Sequence, residues 1–193
     1  MKALYLVVVL LAVSCTNAPN KEVSNSSINI CQYSKWLKIS ESQGAVLIEI
    51  QNPDDTAKIY SARLPNFKSN VRSGEYDFEK PIQRLACLSS THIGMLAELD
   101  LRERIVAVSS LKYVYDPQLK SSKISVLGEE QGIDVEKVVN SKAEIITYSA
   151  FSSSFAKEKV LNKLGVECIP NFDWREIHPL GRAEWILLFG YLT

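Results

Sequence analysis

Gln83-Arg84-Leu85-Ala86-Cys87-Leu88-Ser89-Ser90-Thr91-His92-Ile93-Gly94-Met95-Leu96-Ala97 is the stretch that decides the fold. Its first half is a short apolar run of strand character, and its second half sets Ile93, Leu96 and Ala97 on one helical face. Between them, Ser89, Ser90 and Thr91 supply hydroxyls suited to capping a helix. The same alternation returns downstream. Strands are expected at 104–108, 124–127, 144–148 and 166–169. Helices are expected at 135–140, capped by Asp134, and at 155–164, with Ala156, Val160, Leu161 and Leu164 facing inward and Gly165 ending the turn. Repeated β-α-β units with right-handed crossovers predict an α/β fold: a mostly parallel sheet covered by helices on both faces.

Upstream of Pro81 the pattern is different. Residues 33–40 alternate in polarity, 45–50 form an apolar run, Asn52-Pro53-Asp54-Asp55 signals a turn, and 57–64 alternate again. These predict a small antiparallel β unit within residues 33–80, whose last part, 65–80, reads as a loop. Residues 15–32 are mostly polar and rich in Asn and Ser, as expected of a flexible tether. Residues 1–14 have a short positive start and an apolar core too short to span a bilayer, as in a signal peptide. Ala12-Val13-Ser14-Cys15 resembles the lipobox of bacterial lipoproteins, which implies lipid on Cys15 and attachment at a membrane surface. An ordinary secretory signal with an incidental cysteine is the alternative.

The formal net charge is zero, with 22 basic and 22 acidic residues, which removes any global electrostatic case for nucleic acid. Of the later cysteines, Cys87 and Cys168 lie in apolar runs and read as buried thiols, while Cys31 is left without an assigned partner. No C-x-x-C spacing occurs, and the only histidines are His92 and His178, so no metal site or cofactor is expected.

Ligands of open α/β sheets bind beyond the carboxyl ends of the strands. That rule selects the loops 89–92, 109–117, 128–134, 149–154 and 171–179, which are rich in hydroxyls and aromatic rings. Ser90, His92, Tyr113, Phe151, Trp174 and Arg175 are the ligand-binding candidates, suited to a bulky, partly polar ligand. No nucleophile elbow, H-E-x-x-H, P-loop or G-x-G-x-x-G motif is present, so an enzyme is not expected.

The last stretch, His178-Pro179-Leu180-Gly181-Arg182-Ala183-Glu184-Trp185 and onward to Thr193, predicts a helix with Trp185, Leu188, Phe189 and Leu192 on one face. Ile186 and Leu187 add apolar surface elsewhere, and no capping signal closes it. A continuation is the expectation, along with an exposed apolar side and a tendency to aggregate if the 193 residues are expressed alone.

Taken together, several segments resemble the solute-binding proteins of ABC importers for iron–siderophores, haem and cobalamin. They are Pro81-Ile82-Gln83-Arg84-Leu85-Ala86-Cys87-Leu88-Ser89-Ser90-Thr91-His92 with 104–109, Gly132-Ile133-Asp134-Val135-Glu136-Lys137-Val138-Val139 with Ala143-Glu144-Ile145-Ile146, Leu164-Gly165-Val166-Glu167-Cys168-Ile169-Pro170, and His178 to Trp185. The resemblance covers roughly residues 33–193. It implies two α/β lobes joined by one helix, of which this chain holds the β-rich extension (33–80), the N-terminal lobe (81–179) and the start of the interlobe helix (180–193). It also implies that Glu136 docks on permease subunits, and that the protein is extracytoplasmic, on the periplasmic side of a bacterial envelope. The chain departs from the family pattern at Lys142-Ala143-Glu144, where Lys-Pro-Asp is common, and at Asp100, where glycine usually ends the first helix. The alternatives are a lipoprotein remnant or interaction module without transport activity, and an envelope α/β enzyme.

Overall fold

The structure, a computed structural model, describes residues 28–42, 45–65, 76–77, 80–121, 123–151 and 155–193. The expected targeting segment, Cys15 and most of the expected tether lie outside the described residues.

Two sheets organise the fold. The parallel one contains β6 (Leu85–Cys87), β7 (Ile105–Val108), β8 (Ser125–Val126), β9 (Ile145–Tyr148) and β10 (Glu167–Pro170). Its order is β10-β9-β6-β7-β8, with every pairing parallel. The chain thus winds outward from β6 to β8, crosses back to β9, and winds the other way to β10. Right-handed crossovers then place α1 (Ser90–Glu98) and α2 (Pro117–Ser121) on one face, and α3 (Val135–Asn140) and α4 (Glu158–Lys163) on the other. The expected α/β architecture is present.

Local chemistry sets the boundaries. Ser89, not Ser90, caps α1, its hydroxyl accepting the Thr91 N–H at 3.3 Å. Beyond α1, Asp100 takes the left-handed conformation at φ 59°. Asp116 caps α2 by accepting the Gln118 and Leu119 N–H groups, and Pro117 follows it at the first position. Asp134 caps α3 as expected. Gly165 ends the α4 segment at φ 80°, as expected. The α4 reading needs correction: the helix begins only at Glu158, and Leu161 alone turns into the core. Ala156, Val160 and Leu164 face solvent, because so short a helix presents one position to the sheet.

The antiparallel sheet contains β1 (Ile28–Asn29), β2 (Leu37–Ser42), β3 (Ala45–Gln51), β4 (Ile59–Pro65) and β5 (Tyr76–Asp77), in that order. Its inner face aligns Leu37 with Ile50 and Tyr60, and Ile39 with Ile48 and Ala62. Two boundaries move. The chain joins the sheet at Ile28, with Cys31 buried, inside the stretch expected to be tether, because Ile28 and Asn29 find backbone partners on β2. Within the expected loop 65–80, β5 runs parallel to β4.

The last segment is α5 (Pro179–Glu184) and α6 (Ile186–Leu192), broken at Trp185 rather than continuous. There the Trp185 N–H turns to the Arg182 carbonyl, and its indole donates to Glu176 at 3.1 Å. Trp185, Leu188, Phe189 and Leu192 are buried as expected, and α6 packs on α1. The expected bare apolar side is not found on α6. Ile186, Leu187 and Tyr191 are half-buried, and Leu188 shares a small cavity with Ile48, Ile50 and Tyr60 of the antiparallel sheet. The Tyr191 hydroxyl donates to Glu41. The antiparallel sheet thus meets α6 at Leu188, on the face expected to be buried, and at Tyr191.

Docking of the two sheets depends on a close backbone approach. Glu184 accepts the N–H groups of Gln32, Tyr33 and Ser34, at 2.8, 2.9 and 2.6 Å. Glu176 accepts those of Lys35 and Trp36, together with the Ser34 hydroxyl. Gly181 faces the same loop, and a Cβ there would lie 2.7 Å from the Tyr33 carbonyl oxygen. Gly181→Ala should therefore destabilise the fold by about 1–3 kcal/mol. Gly190→Ala, in a helix where an added Cβ would lie 4.0 Å from the Leu99 side chain, should be neutral or stabilising by up to about 1 kcal/mol. Urea unfolding of the two variants checks the contrast.

Candidate functional site

The strand order reverses between β6 and β9, and such a reversal opens a crevice at the carboxyl ends of the strands. The loops after β6, β9 and β10 leave the sheet along this end. After β6, the Ser89 and Thr91 hydroxyls lie 2.8 Å apart at the start of α1, with Ser90 exposed beside them. After β9, Ala150 is held at φ 47°, a conformation that costs an L-residue about 1–2 kcal/mol. The next residue, Phe151, is 68% exposed.

Phe151 meets the loop after β10. Its ring lies 5.1 Å from that of Trp174, tilted by 43°. The Trp174 indole donates to the Ser149 carbonyl at 2.6 Å, which locks the ring across the end of β9. The Arg175 guanidinium sits 5.2 Å over the Trp174 ring, within cation–π range. Arg175 also pairs with Asp54, on the turn between β3 and β4, at 2.8 Å. Three of the expected ligand residues, Phe151, Trp174 and Arg175, are thereby one continuous group.

The other candidates are placed differently. Tyr113 is exposed on the short turn after β7, with the Lys112 ammonium 5.5 Å over its ring, one strand beyond β6. Glu136 is exposed in the first turn of α3, on the helix that follows β8. His92 is fully buried, 0% exposed, beneath the edge. Its Nδ1 lies 3.0 Å from the Thr147 hydroxyl, its ring packs 5.6 Å from Phe189, and its Nε2 has no partner. Burial lowers its pKa to about 3, against a smaller opposing effect from Thr147, so the imidazole is neutral.

The sequence reading passed over Glu130, on the turn after Gly128. Its Oε1 is enclosed without a hydrogen-bond partner, and burial raises its pKa despite the backbone at Ser149. Sequence offers only an acidic pair, Glu129-Glu130, with nothing to say which member folds over the sheet. Among the described residues no cluster of histidine, cysteine, aspartate and glutamate could hold a metal. Cys31, Cys87 and Cys168 are all buried free thiols, and burial pushes Cys87 up to about 12. A cleft of about 660 Å³ lies at the opposite edge, lined in part by Arg84, Arg102 and Lys123. Arg84 is already bound to the Ser141 and Lys142 carbonyls, and Arg102 to Asp116 and Asp100. The exposed Phe151, joined to Trp174 and Arg175, places aromatic and cationic surface at the carboxyl ends of the strands, which makes that loop edge the stronger candidate.

No family model matches the sequence, and no curated protein matches it. Solved structures similar to it include the periplasmic haem-binding protein HutB of Vibrio cholerae, at 14% identity over 57% of this chain and 42% of that one, with a TM-score of 0.46. The periplasmic vitamin B12 binding protein BtuF of Vibrio cholerae is similar at 19% identity over 57% and 48%, with a TM-score of 0.40. The petrobactin-binding protein YclQ of Bacillus subtilis is similar at 15% identity over 72% and 44%, with a TM-score of 0.44. The chain spans less than half the length of each of these proteins.

The enclosed His92 makes a pH prediction. Its folded-state pKa is depressed below the ordinary value of about 6.5, so the unfolded chain takes up the proton first on acidification. Its stabilising effect is complete above about pH 6.5 and is lost as pH falls toward about 3, at about 1.4 kcal/mol per pH unit. Urea unfolding between pH 7 and 5 should show His92→Gln less stable at pH 7, with a shallower slope against pH, the difference approaching one proton toward pH 5.

Proposed function

We propose that this chain is the β-rich extension and first lobe of an extracytoplasmic solute-binding lipoprotein of an ABC importer. Its ligand would be an iron–siderophore, haem or cobalamin-type molecule, delivered to the permease, whose ATPases supply the energy. The observation that carries the reading is the aromatic and cationic group of Phe151, Trp174 and Arg175, at the same carboxyl-end side of the sheet as the Ser89 and Thr91 hydroxyls. Such a surface suits a large ligand with flat apolar parts and polar rims. The sequence resemblance supplies the ligand class.

In this reading Phe151, Trp174 and Arg175 touch the ligand, with Ser90 and Tyr113 at the rim. His92 supports α1 and α6 from beneath. Glu136, exposed on α3, would meet a basic group of the permease. Cys15 would carry the lipid. Half of the ligand contacts would come from a second lobe, so the test uses the chain with whatever its reading frame encodes beyond Thr193.

Titration with haemin, cyanocobalamin and ferrichrome, followed by tryptophan emission and by calorimetry, should find one ligand class bound. Trp174→Ala should weaken that binding by about tenfold or more, in the range of a lost aromatic anchor. Glu136→Lys should leave binding intact and depress uptake in cells. Absence of binding by every probe would overturn the reading.

A further inference from the structure

We propose that Asp54 is a positioning residue for the ligand-facing edge, and that the antiparallel sheet acts through it to hold Trp174 in place. The inference rests on the reading of that edge as the binding face. A continuous line of contacts carries it. The Asp54 Oδ1 holds the Arg175 Nη2 at 2.8 Å, the Arg175 guanidinium lies 5.2 Å over Trp174, and Trp174 lies 5.1 Å from Phe151. Asp54 belongs to a turn that is itself anchored. The buried Asn52 side chain accepts the Asp54 and Asp55 N–H groups at 2.9 and 3.3 Å, so the carboxylate is carried on a fixed corner.

The neighbouring backbone is tied to the same sheet. The Trp36 indole donates to the Arg175 carbonyl at 3.4 Å, and Glu176 accepts the Lys35 and Trp36 N–H groups. Those bonds fix the main chain of residues 175–176, but they leave the Arg175 side chain free to choose a rotamer. The ion pair with Asp54 makes that choice, and with it decides whether the guanidinium covers the ring. A guanidinium matches a carboxylate and an aromatic face at once, which lysine cannot do as well. Both partners are partly solvent-exposed, at 35% and 55% of their side chains, so the effect is one of local order and not of global stability.

The test reads the Trp174 indole N–H by NMR, assigned through its absence in Trp174→Phe. Its bond to Ser149 should exchange roughly two- to fivefold faster in Asp54→Asn, the range expected for loss of an exposed pair. Asp54→Glu should restore the slow rate, and high salt should bring the unmodified protein toward Asp54→Asn. The Trp36 and Trp185 indoles serve as internal references, being bonded to the Arg175 carbonyl and to Glu176. Their rates should not change. An unchanged Trp174 rate overturns the proposal, and so does an equal acceleration of all three indoles, which would mean general loosening of the sheet. Cyanocobalamin and haemin titrations run alongside. If neither they nor ferrichrome bind the unmodified protein, the binding reading fails while the indole rates still decide the role of Asp54.

Discussion

Two carboxylates hold this molecule in one piece. Glu184 and Glu176 between them accept the backbone N–H groups of residues 32 to 36, leaving a whole loop satisfied by side chains from the far end of the chain. Such charge-assisted bonds are worth more than neutral ones, about 1.5–3 kcal/mol each when well formed. Their geometry requires the loop to touch the backbone of α5, and Gly181 is the residue that lets it. Without this junction the antiparallel sheet would have an apolar inner face and little to bury it against. With it, that face closes over α6, and Leu188 comes up against Ile48 and Ile50.

The parallel sheet depends on the same kind of economy. Glu144 accepts the Gln83 and Arg84 N–H groups at 2.6 and 2.9 Å, which sets β6 beside β9 at the point where the strand order reverses. Arg84 then reaches the carbonyls of Ser141 and Lys142, closing the end of α3. Glu144 thus anchors the strand entrance through its carboxylate.

Much of the fold was legible because it is local. The β-α alternation, the Asp134 cap, the Gly165 stop and the buried Cys87 and Cys168 all follow from neighbours within a few residues. What could not be read depends on distant partners. Val160 and Leu164 look like core residues until the shortness of α4 is known. His92 looks like a loop residue until α6 closes over it. The Phe151, Trp174 and Arg175 candidates came from the strand-end rule, but their mutual stacking and the tie to Asp54 required two sheets in place. Glu130 had no signal at all, since an enclosed oxygen is a property of the folded surface.

The junction at Glu184 also orders events in time. The loop it secures lies about 150 positions earlier in the chain, so the N-terminal sheet leaves the ribosome long before its anchor exists. Closing so distant a contact is entropically slow relative to local β-α assembly. The antiparallel sheet should therefore form its hairpins early and dock last, with its apolar face uncovered in the interval. A chaperone that recognises extended apolar strands would find a binding site there until α5 arrives.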